Sequence, residues 1–166
     1  FTGEKPFADH WVHNGLLQID DGKMSKSFGK MVTVREALSE FSADAIRLFF
    51  LSSHYHSPLA YSSESIEGQK RAAERMRSAL EAGDINVASA DAIEPAPFRE
   101  RFIAAMDDDL NTPQALAALF DLTREINRGH DENKRIRSAQ ESLRELTGVL
   151  GLRLYGEEES VQPLSP

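Results

Sequence analysis

Lys23-Met24-Ser25-Lys26-Ser27 is the stretch of this 166-residue chain whose side chains point to chemistry rather than to packing. Two lysines stand three positions apart, Ser25 and Ser27 add hydroxyls, and Gly22 and Gly29 flank them. A lysine ammonium is a compact cation on a flexible stem, suited to holding a phosphate oxygen. Two of them on one glycine-bounded loop can grip a polyphosphate, close on it, and stabilise the charge that builds as pyrophosphate departs. The competing reading is a solvated surface loop, because short motif matches are often accidental. Residue types alone leave both readings open.

Other chemistry-bearing groups are weaker. His10-x-x-His13 and His54-x-His56 can in principle ligate a metal, but there is no cysteine and no third ligand is evident, and surface or capping roles suit them better. No residue of this chain is therefore assigned to a metal. Asp107, Asp108 and Asp109 suggest metal or acid–base work, yet Asp109 or Asn111 can cap a following helix and the rest can be solvated. Arg71, Arg75 and Arg77, with Arg124, Arg128, Lys134, Arg135 and Arg137, can form a local basic face for a nucleic-acid backbone, though acidic neighbours argue for a plain charged surface.

Composition narrows the field. Apolar residues make up 40% and charged residues 28%, and the net charge is −8. A general nucleic-acid coat would be basic, so phosphate contacts must be local. Residues 84–121 hold two basic and eight acidic side chains, whereas residues 1–35 hold five and four. There is no cysteine, which excludes disulfides and thiolate metal sites and agrees with a cytoplasmic protein. No 18-residue apolar run and no signal-peptide pattern occurs, so no membrane is expected as a partner, and with this acidic balance DNA is not expected either. The chain opens on Phe1, with an apolar stretch close behind, and is expected to be a piece of a longer protein cut inside a domain.

The elements around the loop follow from periodicity and punctuation. Leu16, Leu17 and Ile19 suit a buried strand, and Asp21-Gly22 a turn. Thr33 and Glu36 form a capping box for a helix to about Glu40. Ser42 caps a second helix, Ala43 to about Ser53, with Ala45, Ile46, Phe49 and Phe50 facing the core. Pro58 interrupts. Ser62 or Ser63 starts a long helix ending before Gly83, with a thin stripe of Ile66, Ala73, Met76 and Leu80. Residues 84–95 read as a linker. Phe98, Phe102, Ile103 and Met106 mark the next helix, and Asn111-Thr112-Pro113 restarts another. Leu116, Leu119, Phe120, Thr123 and Ile126 give that helix its stripe up to Gly129. A last helix is expected from about Glu132 to Leu150, with Ile136, Leu143, Leu146 and Leu150 on one face, Gly151 as its stop, and an acidic tail behind it. The fold class is thus mainly α: a sheet fragment with its loop, two short helices, then roughly four longer helices. The strand, cut off from sheet neighbours, is expected to be disordered or to pair with another chain.

Lys23 to Ser27 reads KMSKS, the loop motif of class I aminoacyl-tRNA synthetases, and its surroundings resemble the cysteinyl-tRNA synthetase family. Four blocks in order carry the likeness: HWVHNGLLQIDDGKMSKSFGK, TVREAL, DAIRLFFLSSHYHSPLAYS and AMDDDLNTPQALAALFDL, within residues 5–150. The resemblance implies that residues 1–30 end a Rossmann-type catalytic domain. Residues 31–60 would then be a connecting segment of the kind that contacts the tRNA stem, 61–152 a helical tRNA-binding domain, and 153–166 a linker. It implies that Lys26 binds ATP and Lys23 assists at the phosphates, with Ser25 and Ser27 as further ATP-binding groups. The implied reaction is attack of the cysteine carboxylate on the α-phosphate, followed by transfer of cysteinyl to tRNA(Cys), with Mg²⁺ sharing the phosphate charge. Leu17 and Ile19 can shape an adenine pocket or be plain core.

Two stretches depart from the family pattern. Ser27-Phe28-Gly29-Lys30 stands where S-L-G-N is common, and His54-Tyr55-His56 where H-Y-R is common. The family's HIGH-type motif, its zinc ligands and its anticodon-binding domain match nothing here, so Zn²⁺ is implied only through ligands outside this chain, and the segment alone is expected to be inactive. The rival readings are the related cysteine ligase of the mycothiol pathway, which tends to read D-D-L-D-T-P where this chain has Asp108 to Pro113, and a non-catalytic helical tRNA-binding module.

Overall fold

The computed structural model describes residues 3, 8–19, 33–83 and 91–154. Among them the order is β1 (Leu17–Ile19), α1 (Val34–Glu40), α2 (Ala43–Leu51), β2 (Leu59–Tyr61), α3 (Ser63–Glu81), α4 (Ala96–Asp107), α5 (Thr112–Asp131) and α6 (Arg137–Val149). The protein is mainly helical with one small parallel sheet, as the periodicity predicts. No helix of the described residues is long and apolar enough to cross a membrane.

Helix starts lie where local chemistry puts them. The Thr33 hydroxyl accepts from the Glu36 N–H while the Glu36 carboxylate accepts from the Thr33 N–H, a complete capping box. Ser42 caps α2 through the Ala45 N–H, Ser62 caps α3 through the Ser65 N–H, and Asn111 caps α5 through the Gln114 N–H. Each satisfies a backbone donor that the first helical turn cannot pair internally.

α3, α4, α5 and α6 surround one core that also takes Leu48 from α2. Met76, Leu119, Leu122, Ile126, Ile136 and Leu143 are fully buried in it. A second, smaller cluster joins Ala45 and Phe49 of α2 to Ile66 of α3, with Leu59 and Tyr61 of β2 packed against it. The buried hydroxyls of Thr123 and Thr147 donate back to the Leu119 and Leu143 carbonyls, both at 2.8 Å. Asp44 on α2 accepts from the Arg153 and Leu154 N–H groups at 3.1 and 2.8 Å, binding the chain after α6 to the start of α2.

Several expectations give way. Within this chain β1 is not a buried strand: Leu17 is 47% exposed, and Leu16, just before it, 77%. Nor does it need another chain, because it pairs in parallel with β2 in the register Leu17↔Leu59, Gln18↔Ala60, Ile19↔Tyr61. On α2 the inward residue is Leu48 rather than Phe50, which is half exposed, because α2 lies between the two clusters and turns a different face to each. Ile103 on α4 also faces out. The expected linker is core at its end: Ile93 is buried, and Ala92 bridges Arg135. That bridge occupies the residues that would have begun α6, so α6 starts at Arg137 instead of Glu132.

Candidate functional site

The KMSKS residues Lys23, Ser25, Lys26 and Ser27 lie outside the described residues, as does Lys30. Their anchors are described. The chain enters this stretch at the end of β1 and leaves it at the capping box of α1. β1 is parallel to β2, and Ile19 pairs with Tyr61, so the stretch departs from the carboxyl end of the sheet, where β2 gives way to the capped start of α3. The carboxyl end of a parallel sheet is where open α/β folds take their ligands. One glycine holds this junction close. A Cβ on Gly15 would lie 2.2 Å from the Ser57 carbonyl oxygen, and the Gly15 N–H donates to the Tyr55 carbonyl at 2.7 Å.

The same turn, residues 54–57, presents three neighbouring rings, of which His54 and Tyr55 stack and His56 is tilted against both. His54 and Tyr55 lie 4.7 Å apart between centroids, and Tyr55 and His56 4.2 Å. Across from them is Asp109, at the α4–α5 junction, where Asp109 and Leu110 take left-handed φ values of 51° and 53°. Aspartate tolerates that conformation better than most residues. The Tyr55 hydroxyl donates to Asp109 Oδ1 at 2.7 Å, and this bond to a carboxylate is the first cause holding the phenol above its usual pKa. His54 Nε2 lies 3.0 Å from the Asp109 backbone oxygen. Sequence reasoning found neither the pairing nor a third group for His54 and His56. The two segments are more than fifty residues apart, and no spacing rule connects them. Asp109 therefore does not cap α5, which is the work of Asn111.

The basic residues divide into two sets. On α5 and around α6 four are neutralised nearby: Arg124 pairs with Asp121, Arg128 with Glu125, Lys134 with Glu132 at 2.6 Å, and Arg137 with Glu141 at 3.3 Å. On α3, no ion pair to a described residue is made by Arg71, Arg75 or Arg77, and Arg71 and Arg75 line a shallow depression with Gly68, Glu74 and Ser78. Among the described residues, Arg71 and Arg75 thus give α3 a local pair of cations beside the carboxylate of Glu74.

Comparison with known proteins places the whole chain in a family. A model of the class I (C) tRNA synthetase catalytic domain matches residues 1–71, and a DALR domain model matches residues 101–155. The cysteine–tRNA ligase of Dehalococcoides mccartyi is 47% identical over 154 residues, covering 93% of this chain and 34% of that protein. That of Alkalilimnicola ehrlichii is 50% identical over 149 residues, covering 89% and 32%. That of Coxiella burnetii is 42% identical over 161 residues, covering 96% and 34%. The chain spans about a third of the length of the curated relatives it matches. Two family models in order along one chain, and relatives of one name across nearly all of it, show that the chain belongs to the cysteine–tRNA ligase family, of which it carries the C-terminal part of the class I catalytic domain and the DALR domain.

Proposed function

We propose that this chain is the phosphate-loop and helical portion of an enzyme that activates cysteine with ATP and passes it to tRNA(Cys) in the cytoplasm. The observation that carries the reading is the KMSKS sequence, anchored between the carboxyl end of a parallel strand and a capped helix. In the first step a cysteine carboxylate oxygen attacks the α-phosphorus, and the bond to the bridging oxygen breaks and releases pyrophosphate. Negative charge grows on the departing phosphates. Lys26, assisted by Lys23, answers it with ammonium groups, and Ser25 and Ser27 add hydroxyl donors. Glycines at 22 and 29 allow the stretch to close after ATP binds. Mg²⁺ carried with ATP would share that charge, while the groups offered here hold phosphate oxygens rather than the ion. Zinc, which the family resemblance places beyond this chain, finds no thiolate here, since there is no cysteine. A hydroxyl of the terminal ribose of tRNA then attacks the cysteinyl carbonyl carbon, the ester forms, and the acyl–phosphate bond breaks to release AMP. In this reading residues 31–60 and the α3 face meet the tRNA backbone, and residues 61–152 form the helical tRNA-binding domain.

The test has two arms. The 166-residue chain with ATP, cysteine and tRNA should give no pyrophosphate exchange above background. In the full-length enzyme, Lys26→Ala should lower exchange by about 10²–10³-fold while tRNA binding persists. Exchange by the chain alone refutes the inactivity of the isolated segment, and an active Lys26→Ala enzyme refutes the assignment of the loop. Arg71→Ala with Arg75→Ala should weaken tRNA binding and flatten its salt dependence; an unchanged slope removes α3 from the tRNA surface.

A further inference from the structure

We propose that His54, His56 and Asp109 form a binding site for a divalent transition cation of the zinc class, joining the turn before β2 to the α4–α5 junction. His54 Nε2 and His56 Nδ1 each stand 3.8 Å from Asp109 Oδ2. That is too long for a hydrogen bond. It is close to what a shared ion requires, because ligands at ~2.1 Å from a tetrahedral zinc lie ~3.4 Å from one another. One ligand atom from each of the three residues falls within 4.8 Å of the others. His56 and Asp109 are exposed side chains, so small rotations close the difference.

The carboxylate is already oriented. Tyr55 donates to Oδ1 at 2.7 Å, which leaves Oδ2 turned to the imidazoles. This is the outer hydrogen bond by which a ligating group is commonly held in place. The donor set selects the ion: two imidazole nitrogens and one carboxylate suit zinc and its neighbours, whereas magnesium and calcium ask for oxygen ligands throughout. Ligation has a cost. His54 Nδ1 accepts the His56 N–H at 3.4 Å, and Nε2 lies beside the Asp109 backbone oxygen. Binding through Nε2 moves the ring proton to Nδ1 and gives up both contacts, so the affinity is modest and water completes the coordination. The ion would fasten residues in the catalytic-domain match to a residue in the DALR match, a link that sequence comparison does not contain.

The test is a titration of the whole 166-residue chain with zinc chloride near neutral pH, against a chromogenic chelator. One equivalent should bind with micromolar affinity, and excess magnesium should not displace it. Asp109→Asn and His56→Arg should each weaken binding at least about tenfold, and Tyr55→Phe by about tenfold through the lost outer hydrogen bond. The His10→Gln/His13→Gln double variant should bind as the parent does. Cobalt substitution should give visible bands of nitrogen and oxygen coordination that His56→Arg abolishes. If Asp109→Asn loses its helical signal, His56→Arg on the exposed turn decides alone. Absence of saturable binding, one equivalent retained in His56→Arg, or loss of binding in the His10/His13 variant overturns the proposal.

Discussion

The helical core and the strand pair are built on opposite terms. In the helices, Leu48, Ile66, Met76, Leu119, Leu122, Ile126, Ile136 and Leu143 are sealed from water, and their burial holds the elements together. At β1, Leu16 and Leu17 look outward, and the strand is held by its backbone. The Leu59 N–H donates to the Leu16 carbonyl at 3.0 Å, and Gly15 lies against the turn at Ser57. A helix in the core has neighbours on its apolar face, while β1, among the described residues of this chain, has β2 on one side and no layer over its outer face.

That contrast can be strained at several points. Leu119→Ala empties a fully buried position between helices and should cost about 2–5 kcal/mol in urea unfolding of the whole chain. A cost below ~1 kcal/mol would mean the core collapses readily onto the void. Gln140 comes next. Its side-chain amide donates to the Ala79 and Ala82 carbonyls, both at 2.8 Å, and closes the C-terminal end of α3 from α6. Gln140→Ala leaves those acceptors without that donor and should cost about 1–3 kcal/mol, with faster amide exchange concentrated at the end of α3. Gly15→Ala probes the other region. Its new Cβ meets the Ser57 backbone, which cannot swing aside as a side-chain tip can. The Leu59 amide should exchange at least about tenfold faster, ~1.4 kcal/mol, while the unfolding midpoint of the helices stays put. A matching drop in both would show one cooperative unit rather than two.

The smallest effect belongs to the exposed α4–α6 pair of Arg99 and Glu145. The Arg99 guanidinium, by hydrogen bonding first, holds the Glu145 carboxyl below the usual range. A depressed carboxylate adds stability that is complete above its unfolded pKa and is lost as pH falls through the folded value. Wild type should exceed Glu145→Gln slightly at neutral pH, and the gap should close below about pH 4. A gap that persists in acid would assign the effect to packing rather than charge.

Signals that act over three or four residues were readable in advance. Thr33 with Glu36, Ser42, Ser62 and Asn111 announce helix starts because a capping side chain and the N–H it serves are neighbours along the chain. The stripes of α3 and α5 were legible for the same reason, and the KMSKS motif is visible as a run of adjacent residues whose proposed role lies outside the described residues. Errors came where a position answers to a distant partner. Ile93 looks like linker until α5 and α6 close over it, where its side chain fills the space a Cβ on Gly129 would occupy. Phe50 and Leu48 compete for the core, and only the placement of α2 between two clusters chooses Leu48.

Local order and residue type thus determined the mainly helical class, the helix starts and the candidate phosphate loop, because helical periodicity and capping are short-range and motif chemistry is sequential. Tertiary structure alone decided that β1 pairs with β2, that Gln140 closes α3, and that Asp109 meets His54, Tyr55 and His56. Those contacts join residues 40 or more positions apart, and the free energy that selects them comes from desolvation and packing of whole elements, which no window of sequence contains.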